Sequence, residues 1–282
     1  MFMTYALGYV IQLIMVGIMT GLMHMTWNDA ANHSYAWIGA FGVPLAAVSI
    51  AMTMMAPVSR STIRGNGGFH FLPDDVGDGS MRRKSLGAVR SVLSGAFIGM
   101  IMWSILNILV NALYGMGIDV SGSSSTTKSV ARSFTGTIGV SHEFTVVSGV
   151  ITLVFSALLS PLLEEMFFRG LLGRSLMESP MLRKSDGRRG IVGTIIICVL
   201  SGLWFGIAHI NGSDTSTKMI FTVSWMVFMG ALFTWLATMR QGGLLLTVSA
   251  HVTYNVITLL SVFMFPSQLA TIMFHAVPGL IL

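Results

Sequence analysis

Cysteine is nearly absent: the 282 residues contain one, Cys198. That excludes an intrachain disulfide, a cysteine-based zinc site and a redox pair. The residue lies inside an apolar run, where it serves packing. Charge is almost as scarce. Only 10% of residues are Asp, Glu, Lys or Arg, against about 25% in a soluble domain, while 53% are hydrophobic and the mean hydropathy is +0.76. These values exclude an ordinary soluble domain and imply a polytopic membrane protein. The net charge of +5 and the pI near 9.7 do not point to nucleic acid. The basic residues sit in short loops, where they orient a membrane chain. The first apolar run lacks a basic n-region and an Ala-x-Ala-like cleavage site, so it is expected to be a retained span and not a removed signal peptide. An internal repeat and the HExxH signature of zinc proteases are also missing.

What the chain has is a succession of apolar runs. Residues 5–25, 35–58, 91–116, 144–172, 191–209, 219–238 and 244–265 are each long enough to span a bilayer. A final stretch, 269–282, is short for a span and is expected to be tilted, interfacial or re-entrant. The 22 methionines suit flexible packing between helices. Asn107 and Asn111, one turn apart in the third run, are expected to hydrogen-bond to a neighbouring helix. Basic residues gather in the second, fourth and sixth loops. Arg60, Arg64, Arg82, Arg83, Lys84 and Arg90 fall in the loop 59–90; Arg183, Lys184, Arg188, Arg189 and Arg240 fall in the other two. The positive-inside rule then places the N-terminus in the cytoplasm. The expected fold is an all-α membrane protein, a polytopic bundle of seven or eight transmembrane helices. It forms a single integral membrane domain, 1–282: N-terminal spans and loops over 1–143, a core over 144–265 and an apolar C-terminal segment over 266–282.

Three of the runs carry polar side chains at helical spacing. The first is Leu163-Glu164-Glu165-Met166-Phe167-Phe168-Arg169-Gly170. A charge in hydrocarbon costs roughly 3 kcal/mol on insertion scales, and packing does not reward that cost, so a functional site is the default reading. On a helix the two glutamates point about 100° apart. Glu165 and Arg169 stand at i,i+4 with the acid first, the favourable order for a pair. That pairing leaves Glu164 free to face a cavity as general base toward a water. Pro161 removes a backbone hydrogen bond three residues earlier and can kink the helix there. The competing reading is a wet helix-end cluster at the cytoplasmic interface.

Phe205 and His209 share one helical face in the fifth span, and His251 and Asn255 share one in the seventh. Phe205 can wall a cavity while His209 binds a water or a metal. His251 and Asn255 have the donors that an oxyanion hole needs. Alternatively, Glu164, His209 and His251 make a His2Glu zinc set. Alone, each pair is more often a bridge between helices. The apolar runs put Glu164 and His251 toward the cytoplasmic side but His209 at the far end of its span. For one water to serve all three, the fifth span must start deeper than its run, or be tilted or broken.

Taken in order, Glu164-Glu165-x-x-x-Arg169, Phe205-x-x-x-His209 and His251-x-x-x-Asn255 resemble the CPBP family of CAAX-processing and bacteriocin-processing proteases, also called Abi. The resemblance covers 144–265. It implies an intramembrane endopeptidase with a conical cavity open to the cytoplasm, acting on a peptide or membrane-protein substrate at the lipid bilayer; compact loops and the lack of a targeting segment favour a bacterial plasma membrane. It further implies that Glu164 and His209 activate the water, that His251 and Asn255 stabilise the oxyanion, and that Glu165 and Arg169 support the site. Whether zinc takes part is open on the sequence, since both metal-dependent and glutamate-based mechanisms are argued for the family. Two other classes stay in view. One is a non-catalytic bacteriocin-immunity or interaction protein on the same fold. The other is a proton-coupled transporter, disfavoured by the lack of repeated halves.

Overall fold

The computed structural model describes residues 10, 13–14, 16–18, 20–22, 24, 81–118, 120, 154–173, 176, 190–210, 216–238 and 243–264. Among these, the regular structure is helical throughout, with no strand. The first sequence-expected span is described only in part, and the second, 35–58, lies outside the described residues, as does the stretch 269–282. Five α-helices organise the rest: α1 (Met81–Gly115), α2 (Ser160–Glu165), α3 (Ile191–Ile207), α4 (Ser216–Thr238) and α5 (Gly243–Met264). Segments of π-helix, Phe155–Leu159 and Met166–Gly173, flank α2.

Two of these elements differ from what the apolar runs suggest. α1 begins at Met81, ten residues before the third run, inside what looks like a polar loop. Hydropathy marks only the part of a helix that meets lipid. Met81, Arg82, Arg83, Lys84 and Leu86 are all good helix formers, and they carry the helix onward past the apolar stretch. α3 is shorter than its run and ends at Ile207, with Ala208 as its C-cap. His209 therefore sits in the turn beyond the helix. At 1.5 Å per residue α3 is about 26 Å long, below the ~30 Å of a bilayer's hydrocarbon core. α3 begins at Ile191, where its apolar run begins, so the span does not start deeper than the run.

The stretches of α1, α4 and α5 at Ser85–Gly115, Ser216–Thr238 and Gly243–Ser261 are long and apolar enough to cross a membrane. Their outward surfaces agree: Leu93, Phe97, Ile108 and Ile220 are exposed. Asn107 departs from expectation. Its side-chain amide donates to the Trp103 carbonyl of its own helix at 2.7 Å and makes no cross-helix bridge by that bond.

The chain divides into two compact units. One comprises Met1–Met54, Ser121–Leu163 and Asn255–Leu282; the other comprises Met55–Val120 and Glu164–Tyr254. The second unit has a well-defined interior. Met102 of α1, Trp225, Met229 and Phe233 of α4, and Ala250 and Tyr254 of α5 form its buried cluster. The Trp225 indole donates to the Tyr254 hydroxyl at 3.2 Å, so neither polar end is stranded in the apolar core. The hydroxyls of Thr234 and Ser201 are hydrogen-bonded at 2.8 Å, joining α4 to α3.

Lipid tails are as apolar as leucine, so helices in a bilayer associate through close packing and not through hydrophobic drive. Two glycine positions show this. A Cβ at Gly99 would collide with the Ala250 carbonyl of α5, and one at Gly202 would sit 2.5 Å from the Val227 carbonyl of α4. Overpacking of this kind costs about 1–3 kcal/mol. Gly99→Val is therefore expected to lower thermal stability in detergent by that amount. Gly115→Ala in the same helix, where a Cβ meets nothing within 4 Å, is expected to leave the midpoint unchanged.

Candidate active site

The second unit brings together the acidic motif, the Phe205–His209 pair and His251. Glu165 is the last residue of α2 and is fully buried. Its Oε1 lies 3.0 Å from Arg169 Nη1, and both side chains are sealed from solvent, as the i,i+4 spacing predicts. The same oxygen lies 3.0 Å from His251 Nδ1. One carboxylate thus ties the acidic motif to α5.

The arginine is held on its other sides as well. Its guanidinium carbon lies 4.4 Å from the centre of the Phe205 ring, 5.4 Å from that of Phe233 and 5.9 Å from that of Phe168. Nη2 donates to the Gly230 carbonyl at 3.4 Å. A planar, weakly hydrated cation suits such a cage far better than an ammonium would. Phe205, with no exposed surface, also contacts the His209 ring at 4.5 Å and the His251 ring at 5.9 Å. The ring that seemed to wall a cavity is therefore a hub under the charged pair. Phe168, Gly230 and Phe233 escaped sequence reasoning. They are ordinary apolar residues, and only the need to shelter Arg169 hints that such partners exist.

Glu164 lies on a different side of α2. Its Oε2 is 3.9 Å from His209 Nε2 and 3.9 Å from His251 Nε2, and its side chain is 14% exposed. The hydrogen bonds of the two histidines fix their tautomers. His209 Nδ1 sits 2.7 Å from the Phe205 carbonyl, which can only accept. His251 Nδ1 faces the Glu165 carboxylate, which also accepts. In each neutral ring the proton is then on Nδ1, and the Nε2 lone pair faces Glu164. The 3.9 Å gaps exceed hydrogen-bond length and are of the size that a bridging water spans.

The sequence also offers these three groups as a zinc set. Ligands about 2.1 Å from a tetrahedral zinc lie roughly 3.4 Å apart. Among the described residues, no set of three His, Cys, Asp or Glu side chains has an arrangement that could hold a metal ion. As placed, then, Glu164, His209 and His251 do not fit zinc.

The seventh-span motif divides between the two units, His251 in one and Asn255 in the other. Within its own unit, Asn255 Nδ2 donates to the Ser156 carbonyl at 3.0 Å.

Residues 146–257 match a protein-family model described as type II CAAX prenyl endopeptidase Rce1-like. The match spans all three motifs and agrees with the family resemblance they carry. Together with the three apolar helices it makes the chain an integral membrane protein. No curated protein and no solved structure gave a significant match.

Removing one partner of a buried ion pair leaves an uncompensated charge, at a cost of about 3–5 kcal/mol, whereas replacing both partners by apolar residues is often neutral. Arg169→Ala is accordingly expected to destabilise by that amount in thermal unfolding. Arg169→Lys should fall short of wild type, and the double substitution Glu165→Leu/Arg169→Met should recover most of the loss.

Proposed function

From the match of residues 146–257 to the type II CAAX prenyl endopeptidase Rce1-like family, we propose that this protein is an intramembrane endopeptidase. It hydrolyses a peptide bond near the cytoplasmic face, with the N-terminus on that side and the bacterial plasma membrane as its setting. The observation that carries the reading is the Glu164 carboxylate, 3.9 Å from the Nε2 atoms of His209 and His251. A water in that space can donate one proton to Glu164 and the other to His209.

The chemistry follows from those contacts. Glu164 takes a proton from the water as its oxygen attacks the scissile carbonyl carbon, and the carbonyl π bond opens to an oxyanion. The intermediate collapses with cleavage of the C–N bond, and the proton held by Glu164 passes to the departing amine nitrogen. His209 orients the water, with its own Nδ1 proton fixed on the Phe205 carbonyl. His251 and Asn255 are the oxyanion donors. Because His251 Nδ1 is bound to Glu165, His251 donates from Nε2 only once that nitrogen is protonated. Glu165 and the aromatic-caged Arg169 support the ring from behind. The substrate class is a membrane-associated peptide, either a prenylated CAAX C-terminus or a bacteriocin-type precursor.

Purified protein in liposomes is expected to cleave a farnesylated CAAX peptide. Glu164→Gln and His209→Ala should each lower kcat by roughly 10²–10⁴-fold while leaving thermal stability near wild type. Cleavage that persists in both variants would remove the reading, and a non-catalytic immunity or interaction role would take its place. Cleavage that fails on chelation and returns with zinc would overturn the metal-free assignment alone.

A further inference from the structure

The bond from Asn255 to Ser156 has a cause in the backbone. Ser156 is buried and lies in the π-helical segment Phe155–Leu159. In a π register each carbonyl looks for the N–H five residues ahead. For Ser156 that residue is Pro161, which has none. The α-helical alternative is the N–H of Ser160, but the π register directs that donor to the carbonyl of Phe155. Proline and register together leave the Ser156 carbonyl without a backbone donor. In a membrane interior no bulk water makes up such a loss, and a buried carbonyl needs some partner.

We propose that Asn255 is a positioning residue whose amide caps this carbonyl and thereby fixes the turn that opens α2. The last two residues of α2 are Glu164 and Glu165, so what holds its first turn also sets the direction in which they project. The carbonyl only accepts, so the amide must present Nδ2 and not Oδ1 to it. Nδ2 has two hydrogens. One serves Ser156, and the second stays available for the oxyanion role, which rests on the peptidase reading. The capping role does not depend on that reading, and the two can be separated.

The experiment is a double-mutant cycle of Asn255→Leu with Pro161→Ala, on the full chain in detergent micelles, following Tm together with kcat and KM for peptide cleavage. The Pro161→Ala substitution restores a backbone N–H within reach of the stranded carbonyl. Asn255→Leu is expected to lower Tm by roughly 3–6 °C in the wild-type background, and by less than half of that in the Pro161→Ala background. Asn255→Ala should follow the same pattern, which separates the lost hydrogen bond from lost volume. In the double variant, kcat should rise about tenfold over Asn255→Leu with KM unchanged, the remaining deficit being the oxyanion donor. Equal Tm losses in both backgrounds overturn the proposal. Coupled Tm losses without a gain in kcat overturn its orienting half. If the wild type itself does not cleave, the peptidase reading fails, and the Tm cycle still decides the capping role.

Discussion

The ion pair between Glu165 and Arg169 is the constraint to which the second unit is fitted. Two opposite charges without solvent are tolerable only where every neighbour helps, and here each surrounding element contributes something specific. α3 supplies the Phe205 ring and α4 the Phe233 ring and the Gly230 carbonyl, while α5 supplies the His251 imidazole. A buried pair of this kind adds little net stability compared with a well-packed apolar core. Its value lies in register: a slide of any one helix along its axis would take away a contact that the charges require. The pair thus holds Phe205, and with it His209, in a fixed relation to His251 and to Glu164, the neighbour of Glu165.

Close backbone approach makes that convergence feasible. The Gly230 carbonyl of α4 reaches Arg169, and on the α3 side a Cβ at Gly230 would crowd the Phe205 side chain. On the other side, Gly95 and Gly99 of α1 seat α5 through the Leu246 and Ala250 carbonyls. Ala250 precedes His251 directly, so the depth at which α1 meets α5 passes straight to the imidazole. Small residues far from any chemistry therefore govern ångström-scale placement at its centre.

The polar side chains were legible in the sequence because they break an apolar pattern. Glu164, Glu165, Arg169, His209 and His251 are costly where they stand, and cost is visible from one chain alone. The Glu165–Arg169 pairing followed from helical spacing even though the helix changes to a π register at Met166. What supports these groups was not legible. Phe168, Phe233 and Gly230 look like any other lipid-compatible residues, and their role arises from folding. Helix ends are hard to read in the sequence for a related reason: hydropathy records contact with lipid, whereas α1 extends beyond its apolar run and α3 stops short of the end of its own. Asn107 was expected to reach across to another helix, yet a carbonyl one turn back satisfies it at less entropic cost. Pro161 was visible as an interruption, but the carbonyl it strands could be identified only once the π register was known.

The shortness of α3 has a consequence for the surrounding lipid. Its 17 residues, about 26 Å, fall short of a typical ~30 Å hydrocarbon core, and His209 follows its C-cap Ala208 with part of its side chain exposed. Bilayer thinning is one of the standard accommodations to a short apolar helix. Around α3 it would carry the water interface inward, toward the imidazole. Membrane thickness then becomes a variable of the site itself: short acyl chains would hydrate the neighbourhood of His209 at little elastic cost, while long or sterol-stiffened chains would resist the same dimple.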